Sequence, residues 1–169
     1  MVEKEKFDQN LHEVVCFDIK QMYPSINITR TVSYILIEVF RKPKLYFTPE
    51  KDSKGYTLPI PTRAEFKLFL LAVLKDFNFF TSQVGTFKQL KGLQMGSSLA
   101  PLISNLFIGC LERSVINKQM KLGSVISWTR YADDCVAIVK KGACNRVLTA
   151  LNLWDQDIKF TCEKMVENK

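Results

Sequence analysis

The chain has 169 residues, of which 47% are hydrophobic and 24% charged, and this composition is typical of one globular domain rather than of a disordered or low-complexity protein. Lysine and arginine number 24 against 17 acidic residues, a net charge of +7, which favours a polyanionic partner, nucleic acid before an anionic membrane surface. No apolar run approaches the roughly 18 residues that span a bilayer, so we expect no membrane partner.

Cysteine and histidine usage indicates an intracellular protein. The five cysteines are odd in number, form no Cys-x-x-Cys pair and lie mostly among apolar residues, so we expect them to be reduced and buried. The single histidine, His12, excludes a zinc site built on several histidines, and we expect a structural or surface role for it.

The first part of the chain predicts a strand and two helices. Residues 13–19 are nearly all strand formers, which predicts a central strand. Apolar residues between 32 and 40 recur at helical spacing, and a capping box at Thr62 and Glu65 predicts a second apolar helix to about residue 77. Between them, residues 41–61 hold four prolines and five basic residues, which indicates either phosphate contact or a solvated hairpin.

The second part predicts a hairpin, a helix, a second hairpin, a helix and a strand. Residues 79–91 form a short hairpin around Gly85, and the apolar spacing of 99–111 predicts a helix with Ser97 or Ser98 as N-cap and Pro101 in its first turn. Strands at 125–131 and 135–139, a helix at 143–154 and a strand at 158–162 follow. This order predicts one α+β domain with helices on one face of a mostly antiparallel sheet.

Three carboxylates lie where a fold normally avoids them. Asp18 lies in an apolar strand, and Asp133 and Asp134 lie at the tip of an apolar hairpin, where an ionised carboxylate is costly unless compensated. A turn alone explains the aspartate doublet, but Asp18 serves no turn, and its predicted strand holds no basic residue. If the strands are neighbours, the carboxylates converge and need divalent cations, and all-oxygen ligands select magnesium or manganese.

Three segments resemble the motifs of reverse transcriptases, in the order of that family. Phe-Asp-Ile-Lys-Gln-Met-Tyr-Pro-Ser-Ile at 17–26 resembles motif A, Gly-Leu-Gln-Met-Gly-Ser-Ser-Leu-Ala-Pro at 92–101 motif B, and Tyr-Ala-Asp-Asp at 131–134 motif C. The likeness is greatest to Penelope-like retroelements, whose motif B tends to read Gly-x-x-Met-Gly-Ser, and it covers about residues 14–163. Motif B departs from the family at Ser98, where proline is usual, and at Gln94.

The resemblance implies a fold and an activity. The fold is a polymerase palm, a ferredoxin/RRM-like antiparallel sheet with helices on one face, plus part of the fingers. Residues 1–169 form a single partial domain in which upstream fingers, thumb and any nuclease domain are expected to be absent. The implied activity is RNA-directed DNA synthesis, from deoxynucleoside triphosphates onto a DNA primer on an RNA template, with two magnesium or manganese ions and a nuclear location.

The resemblance also implies roles for individual residues. Tyr23 is the expected gate against a ribose 2′-hydroxyl, and Met95 and Gly96 lie against the incoming nucleotide or the template base. Ser97, with Ser98, lies at the amino end of the following helix, which favours phosphate. The expected metal ligands are Asp18, Asp133, Asp134 and the carbonyl group of Ile19.

Two other interpretations stay open. The expected missing segments are compatible with a catalytically inactive retroelement fragment that at most binds nucleic acid. A sheet-based RNA-binding module needs exposed aromatic residues on its central strands, and the predicted strands offer the single aromatics Phe17 and Trp128 for it.

Overall fold

The computed structural model describes residues 7–42, 47, 51, 53–57, 59–76, 78–94 and 96–164. The elements are, in chain order, β1 (His12–Lys20), α1 (Met22–Ser25), α2 (Ile28–Arg41), α3 (Arg63–Leu71) with a π-helical turn (Ala72–Asp76), β2 (Phe79–Ser82), β3 (Gly85–Lys88), α4 (Ala100–Leu111) with a π-helical turn (Glu112–Ile116), α5 (Asn117–Lys121), β4 (Val125–Tyr131), β5 (Asp134–Lys140), α6 (Cys144–Trp154) and β6 (Lys159–Lys164).

Four of the strands form an antiparallel sheet in the order β4-β5-β1-β6. The first strand of the chain is therefore a central strand, between β5 and β6. This strand order, with a helix returning the chain to β6, is the β-α-β-β-α-β arrangement of ferredoxin-like folds. The predicted α+β class and its antiparallel sheet are confirmed.

The two faces of this sheet differ because side chains alternate along each strand. Val15, Phe17 and Ile19 of β1 are buried against the helices, in one core with Phe107 of α4 and Leu151 of α6. The opposite face, which we call the open face, carries exposed side chains on its central strands. Its residues include Asp18, Thr129, Tyr131, Asp134 and Val136.

Strands β2 and β3 form a separate two-stranded hairpin, here called the outer hairpin (Phe79–Lys88). Every residue of its two strands is exposed. In the stretch 41–61, much of which lies outside the described residues, Lys51 and Thr57 form an isolated antiparallel bridge, as a hairpin requires. Phosphate contact by this stretch stays a prediction.

The predicted helix starts are correct in one case and wrong in the other. Thr62 and Glu65 form the predicted capping box of α3. The residue at the N-cap of α4 is Leu99, which makes no side-chain cap, rather than Ser97 or Ser98. A turn in which the Ala100 N–H donates to the Ser97 carbonyl, 3.1 Å, precedes the helix and keeps both serines outside its first turn. Pro101 lies in that first turn, as predicted.

The cysteines are less uniformly buried than predicted. Cys135 and Cys144 are buried, whereas Cys16, Cys110 and Cys162 are partly exposed, and all five are free thiols. Cys16, for example, lies between buried Val15 and Phe17 in β1, so its side chain is on the opposite, open face of the sheet. His12 is buried, and its Nδ1 accepts a hydrogen bond from the Asp8 N–H at 3.1 Å, which confirms its structural role.

Candidate active site

Sheet pairing brings the first carboxylate to the aspartate doublet. Asp18 of β1 is the register partner of Asp134 of β5, so the two side chains lie on the same face of the sheet. The Ile19 N–H donates to the Asp133 carbonyl at 3.2 Å. The two acidic segments, separated by more than a hundred residues of sequence, are thus directly hydrogen-bonded neighbours, and all three carboxylates are exposed to solvent.

The turn that carries the doublet is strained. Ala132 and Asp133 form a two-residue turn between β4 and β5, and Ala132 has a φ of +54°. Tight hairpin turns commonly place glycine at such a position, because a residue with a Cβ pays roughly 1–2 kcal/mol in the left-handed region. Strain of this kind is concentrated at functional sites, where the surrounding structure holds it.

The segment that resembles motif B packs directly on the segment that resembles motif A. The Leu93 N–H donates to the Tyr23 carbonyl at 2.8 Å. A Cβ on Gly92, whose φ is +74°, would lie 2.5 Å from the Cα and the carbonyl oxygen of Pro24. Glycine is therefore required at 92 for two independent reasons, conformation and space. This contact, which the sequence analysis did not identify, joins the segment that resembles motif B to α1, directly after β1.

Glutamine side chains connect this loop to the outer hairpin. The Gln94 Nε2 donates to the Phe79 carbonyl at 2.7 Å, and the Gln89 Nε2 donates to the carbonyls of Lys91 and Leu93 at 2.7 and 3.2 Å. The departure of Gln94 from the family pattern therefore has a structural role, since its amide anchors the loop to β2.

The predicted nucleotide-binding residues are distributed around this junction. Tyr23 is half-buried and packs against the core. Gly96 is exposed with a φ of +90°, and open space surrounds it. The Ser97 Oγ accepts the Leu99 N–H at 3.3 Å. Met95 lies outside the described residues, and the roles of all four in nucleotide binding stay predictions.

A half-buried polar network supports the strained turn from the helix side of the sheet. The Arg130 Nε donates to Glu112 Oε1 at 2.8 Å, and an Arg130 terminal nitrogen donates to the Ala132 carbonyl at 2.9 Å. The Trp128 indole N–H donates to the same Glu112 oxygen at 2.9 Å. The sequence analysis missed this network, although a charged residue within an otherwise apolar helix and strand was the available signal.

Trp128 and Phe17 pack against each other with ring centroids 5.4 Å apart. Phe17 is buried on the helix side of the sheet, and Trp128, the register partner of buried Ala137, points to the same side. These two rings are therefore not offered to bases on the open face, and the RNA-binding-module interpretation loses the residues on which it depended.

The negative charges of the carboxylates are only weakly compensated by basic side chains. Within the described parts of the chain, no salt bridge joins Asp18, Asp133 or Asp134 to a basic side chain. The strand extends one residue beyond the prediction at each end, so it includes Lys20, contrary to the expectation that it holds no basic residue. Burial raises the pKa of the neighbouring Cys135 thiol to about 12, and the charges of Asp134 and Asp18 contribute to the same direction.

The donor chemistry of the site fits a hard cation, since carboxylate and carbonyl oxygens are the ligands that magnesium and manganese prefer. Among the residues that the structure describes, no group of three or more His, Cys, Asp or Glu side chains is arranged to hold a metal ion. The backbone thus brings the acidic segments together, whereas the arrangement of their side chains around a metal ion stays a prediction. None of the described helices is long and apolar enough to cross a membrane.

Solved structures of similar fold include telomerases. The apo telomerase of Candida tropicalis truncated from the C-terminal domain aligns with a TM-score of 0.65 at 12% identity, over 94% of this chain and 32% of that one. The telomerase of Candida albicans in complex with the TWJ fragment of telomeric RNA aligns with a TM-score of 0.61 at 12% identity, over 94% and 27%. The chain thus spans about a third of these proteins or less, and the likeness defines a polymerase-type α+β fold.

The family follows from the sequence comparison. The model of the reverse transcriptase (RNA-dependent DNA polymerase) family matches residues 4–164, nearly the whole chain. The protein belongs to the reverse transcriptase family, and enzymes of this family generally use divalent metal ions. No curated protein sequence is detectably similar to the chain.

Proposed function

We propose that the chain is the catalytic core of an RNA-directed DNA polymerase, which adds deoxynucleotides to a primer 3′-hydroxyl on an RNA template. The observation that carries the proposal is the pairing of Asp18 with Asp134 and the hydrogen bond from Ile19 to Asp133, within a chain that matches the reverse transcriptase family from residue 4 to 164.

Asp18, Asp133, Asp134 and the Ile19 carbonyl would hold two magnesium or manganese ions. When bound, such ions lower the pKa of the primer hydroxyl and stabilise charge on the transferred phosphate and the leaving pyrophosphate. The exposed position of the carboxylates, none of which forms a salt bridge among the described residues, supports this role, because three anionic groups side by side favour cation binding.

The other residues act on the nucleotide and the duplex. Tyr23 stands five residues after Asp18, where its ring is proposed to exclude a ribose 2′-hydroxyl. Gly96 leaves open space around its backbone, which allows close approach of a nucleotide, and Met95 and Ser97 flank it. The net charge of +7 would hold the primer–template through its phosphates, so binding should weaken steeply with salt.

A finer assignment rests on the motifs alone. The Gly-x-x-Met-Gly-Ser form of motif B supports an origin in a Penelope-like retroelement, with the nuclear location that this implies. The telomerases of similar fold include complexes with a fragment of telomeric RNA, which is compatible with the proposed RNA template.

Primer extension tests the proposal. The protein is incubated with a DNA primer on an RNA template, deoxynucleotides and magnesium or manganese, and we expect incorporation that Asp133→Asn reduces by about 100- to 1,000-fold or more while duplex binding is kept. Asp8→Asn, which makes the same charge change at an exposed position before the start of β1, at the opposite end of that strand from Asp18, is the matched control. Incorporation that survives Asp133→Asn contradicts the metal assignment.

Selectivity provides a second measurement. If Tyr23 is the gate, Tyr23→Ala should raise the use of ribonucleotides relative to deoxynucleotides without abolishing extension. Salt-sensitive duplex binding with no incorporation under either metal, in this chain and in any longer protein that carries it, favours the inactive-fragment interpretation instead.

A further inference from the structure

One side chain on the helix side of the sheet, that of Arg130, supports the strained turn between β4 and β5. The Arg130 guanidinium donates to the carbonyl of Ala132, the residue with positive φ, at 2.9 Å. The same nitrogen donates to the Asn105 Oδ1 at 2.9 Å. These bonds fix the carbonyl orientation of the first turn residue, next to Asp133.

The guanidinium is itself fixed in place. Its Nε and its other terminal nitrogen donate to the two carboxylate oxygens of Glu112 at 2.8 and 3.4 Å. Arg130 is 11% exposed and Glu112 23%. The Trp128 indole N–H holds the carboxylate from a third direction. A planar guanidinium bound along several edges has little freedom to rotate, so the network is a rigid support.

Arg130 does not reach the reacting atoms. It is the register partner of buried Cys135, so it lies on the helix side of the sheet, whereas Asp18 and Asp134 lie on the open face. Its charge is balanced by Glu112, which makes a direct electrostatic role at the carboxylates weak. Any effect of Arg130 on the aspartates is therefore transmitted through the Ala132–Asp133 turn.

The partners of Arg130 come from the helix that follows motif B. Asn105 lies in α4 and Glu112 begins the π-helical turn after it. The guanidinium therefore joins the α4 segment to the turn that carries the aspartate doublet.

We propose that Arg130 is a positioning residue, which holds the turn Ala132–Asp133 in its strained conformation and sets the position of Asp133 and Asp134 relative to Asp18. The inference rests on the proposed function for its catalytic meaning, since the turn matters to catalysis only if these aspartates hold the metal ions. Its structural content, the support of the turn, is measurable on its own.

One backbone hydrogen bond reports the position of the turn. The Ile19 N–H donates to the Asp133 carbonyl at 3.2 Å, and the Leu93 N–H donates to the Tyr23 carbonyl at 2.8 Å, away from the turn. The ratio of the two amide exchange rates separates a local change at the turn from a general loss of stability. We expect Arg130→Met to raise this ratio about 10-fold, because local opening then costs less free energy.

Two further variants keep the test decisive if Arg130→Met folds poorly. Arg130→Lys retains a positive charge but has one nitrogen in place of three, so it cannot bond Glu112 and also reach Ala132 and Asn105, and it should raise the ratio by an intermediate amount. Asn105→Ala removes one acceptor of the same nitrogen and leaves the ion pair intact. Arg30→Met, which breaks the ion pair with buried Asp155 far from the turn, is the matched control and should leave the ratio unchanged.

Manganese binding provides the functional measurement. Titration followed by electron paramagnetic resonance should show affinity that is about 10- to 100-fold weaker in Arg130→Met, as for residues that orient metal ligands, and unchanged in Arg30→Met. An unchanged exchange ratio in both Arg130→Met and Asn105→Ala overturns the positioning role. Manganese binding that Asp133→Asn does not affect overturns the proposed function instead, and the exchange ratio still decides the role of Arg130.

Discussion

Two hairpins of this protein share a local design and differ in their surroundings. The outer hairpin and the β4–β5 hairpin are both antiparallel pairs with two-residue turns. The first is exposed on all its strand residues and attached through polar contacts such as Gln94 to Phe79. The second is paired with β1, covered by helices on one side and supported by Arg130. The β4–β5 turn can be strained because its surroundings determine its conformation.

The difference in packing between the two hairpins should appear most strongly when one phenylalanine that supports each of them is replaced by alanine. Phe17, 1% exposed, supports the β4–β5 hairpin through Trp128, whereas Phe80, 48% exposed, stacks on Phe87 in the outer hairpin. We expect Phe17→Ala to lower the free energy of unfolding by about 3–5 kcal/mol and Phe80→Ala by about 0.5–1.5 kcal/mol. Urea denaturation measures both, and equal losses would contradict the contrast between the hairpins.

The contact between Gly92 and α1 should be nearly as sensitive. Gly92→Ala places a Cβ against the Pro24 backbone in addition to its conformational strain, and we expect a loss of roughly 3 kcal/mol. Gly96→Ala has a similar positive φ but open space around it, so it should cost roughly 1–2 kcal/mol from conformation alone. Thermal or urea unfolding of the two variants isolates the clash, and no difference between them would refute it.

The expected effect that is smallest near neutral pH is a pH dependence in the β4–β5 hairpin. Burial raises the pKa of the Cys135 thiol to about 12, so the folded protein holds this proton where the unfolded chain, with a thiol pKa near 9, loses it. The associated stability is complete below about pH 8 and is lost as the pH rises from 9 toward 12, by up to about 1.4 kcal/mol per pH unit. Cys135→Ala should remove this part of the slope.

Alkylation provides an independent measurement of the same thiol. In the folded protein at pH 9, Cys135 should stay unmodified by iodoacetamide and react after unfolding, as peptide mass spectrometry would show. Rapid labelling of Cys135 in the folded state would mean that the hairpin opens or that the thiol is not buried.

Local patterns in the sequence were sufficient for the secondary structure and the motif order. A run of strand-forming residues predicts β1, the Thr62–Glu65 spacing predicts the start of α3, and helical periodicity predicts α4 and α6, because each depends on neighbours within a few residues. The predicted N-cap of α4 was wrong, because either serine suits a cap and the pattern does not reveal the turn in which both of them lie. The prediction that Asp18 lies beside Asp133 and Asp134 depended on the order of the strands in the sheet, which local patterns do not contain.

The sequence by itself determined the α+β class, the three ordered motifs and the residue types that a hard cation prefers. The tertiary structure alone decided that β1 lies beside β5, that Gly92 meets Pro24, and that Arg130 and Glu112 support the turn at Ala132. The residues that these contacts join are separated by 18 to more than 100 positions in the sequence. Their partners are selected by the packing of whole elements around a shared core, whereas spacing along the chain reports only on interactions within an element.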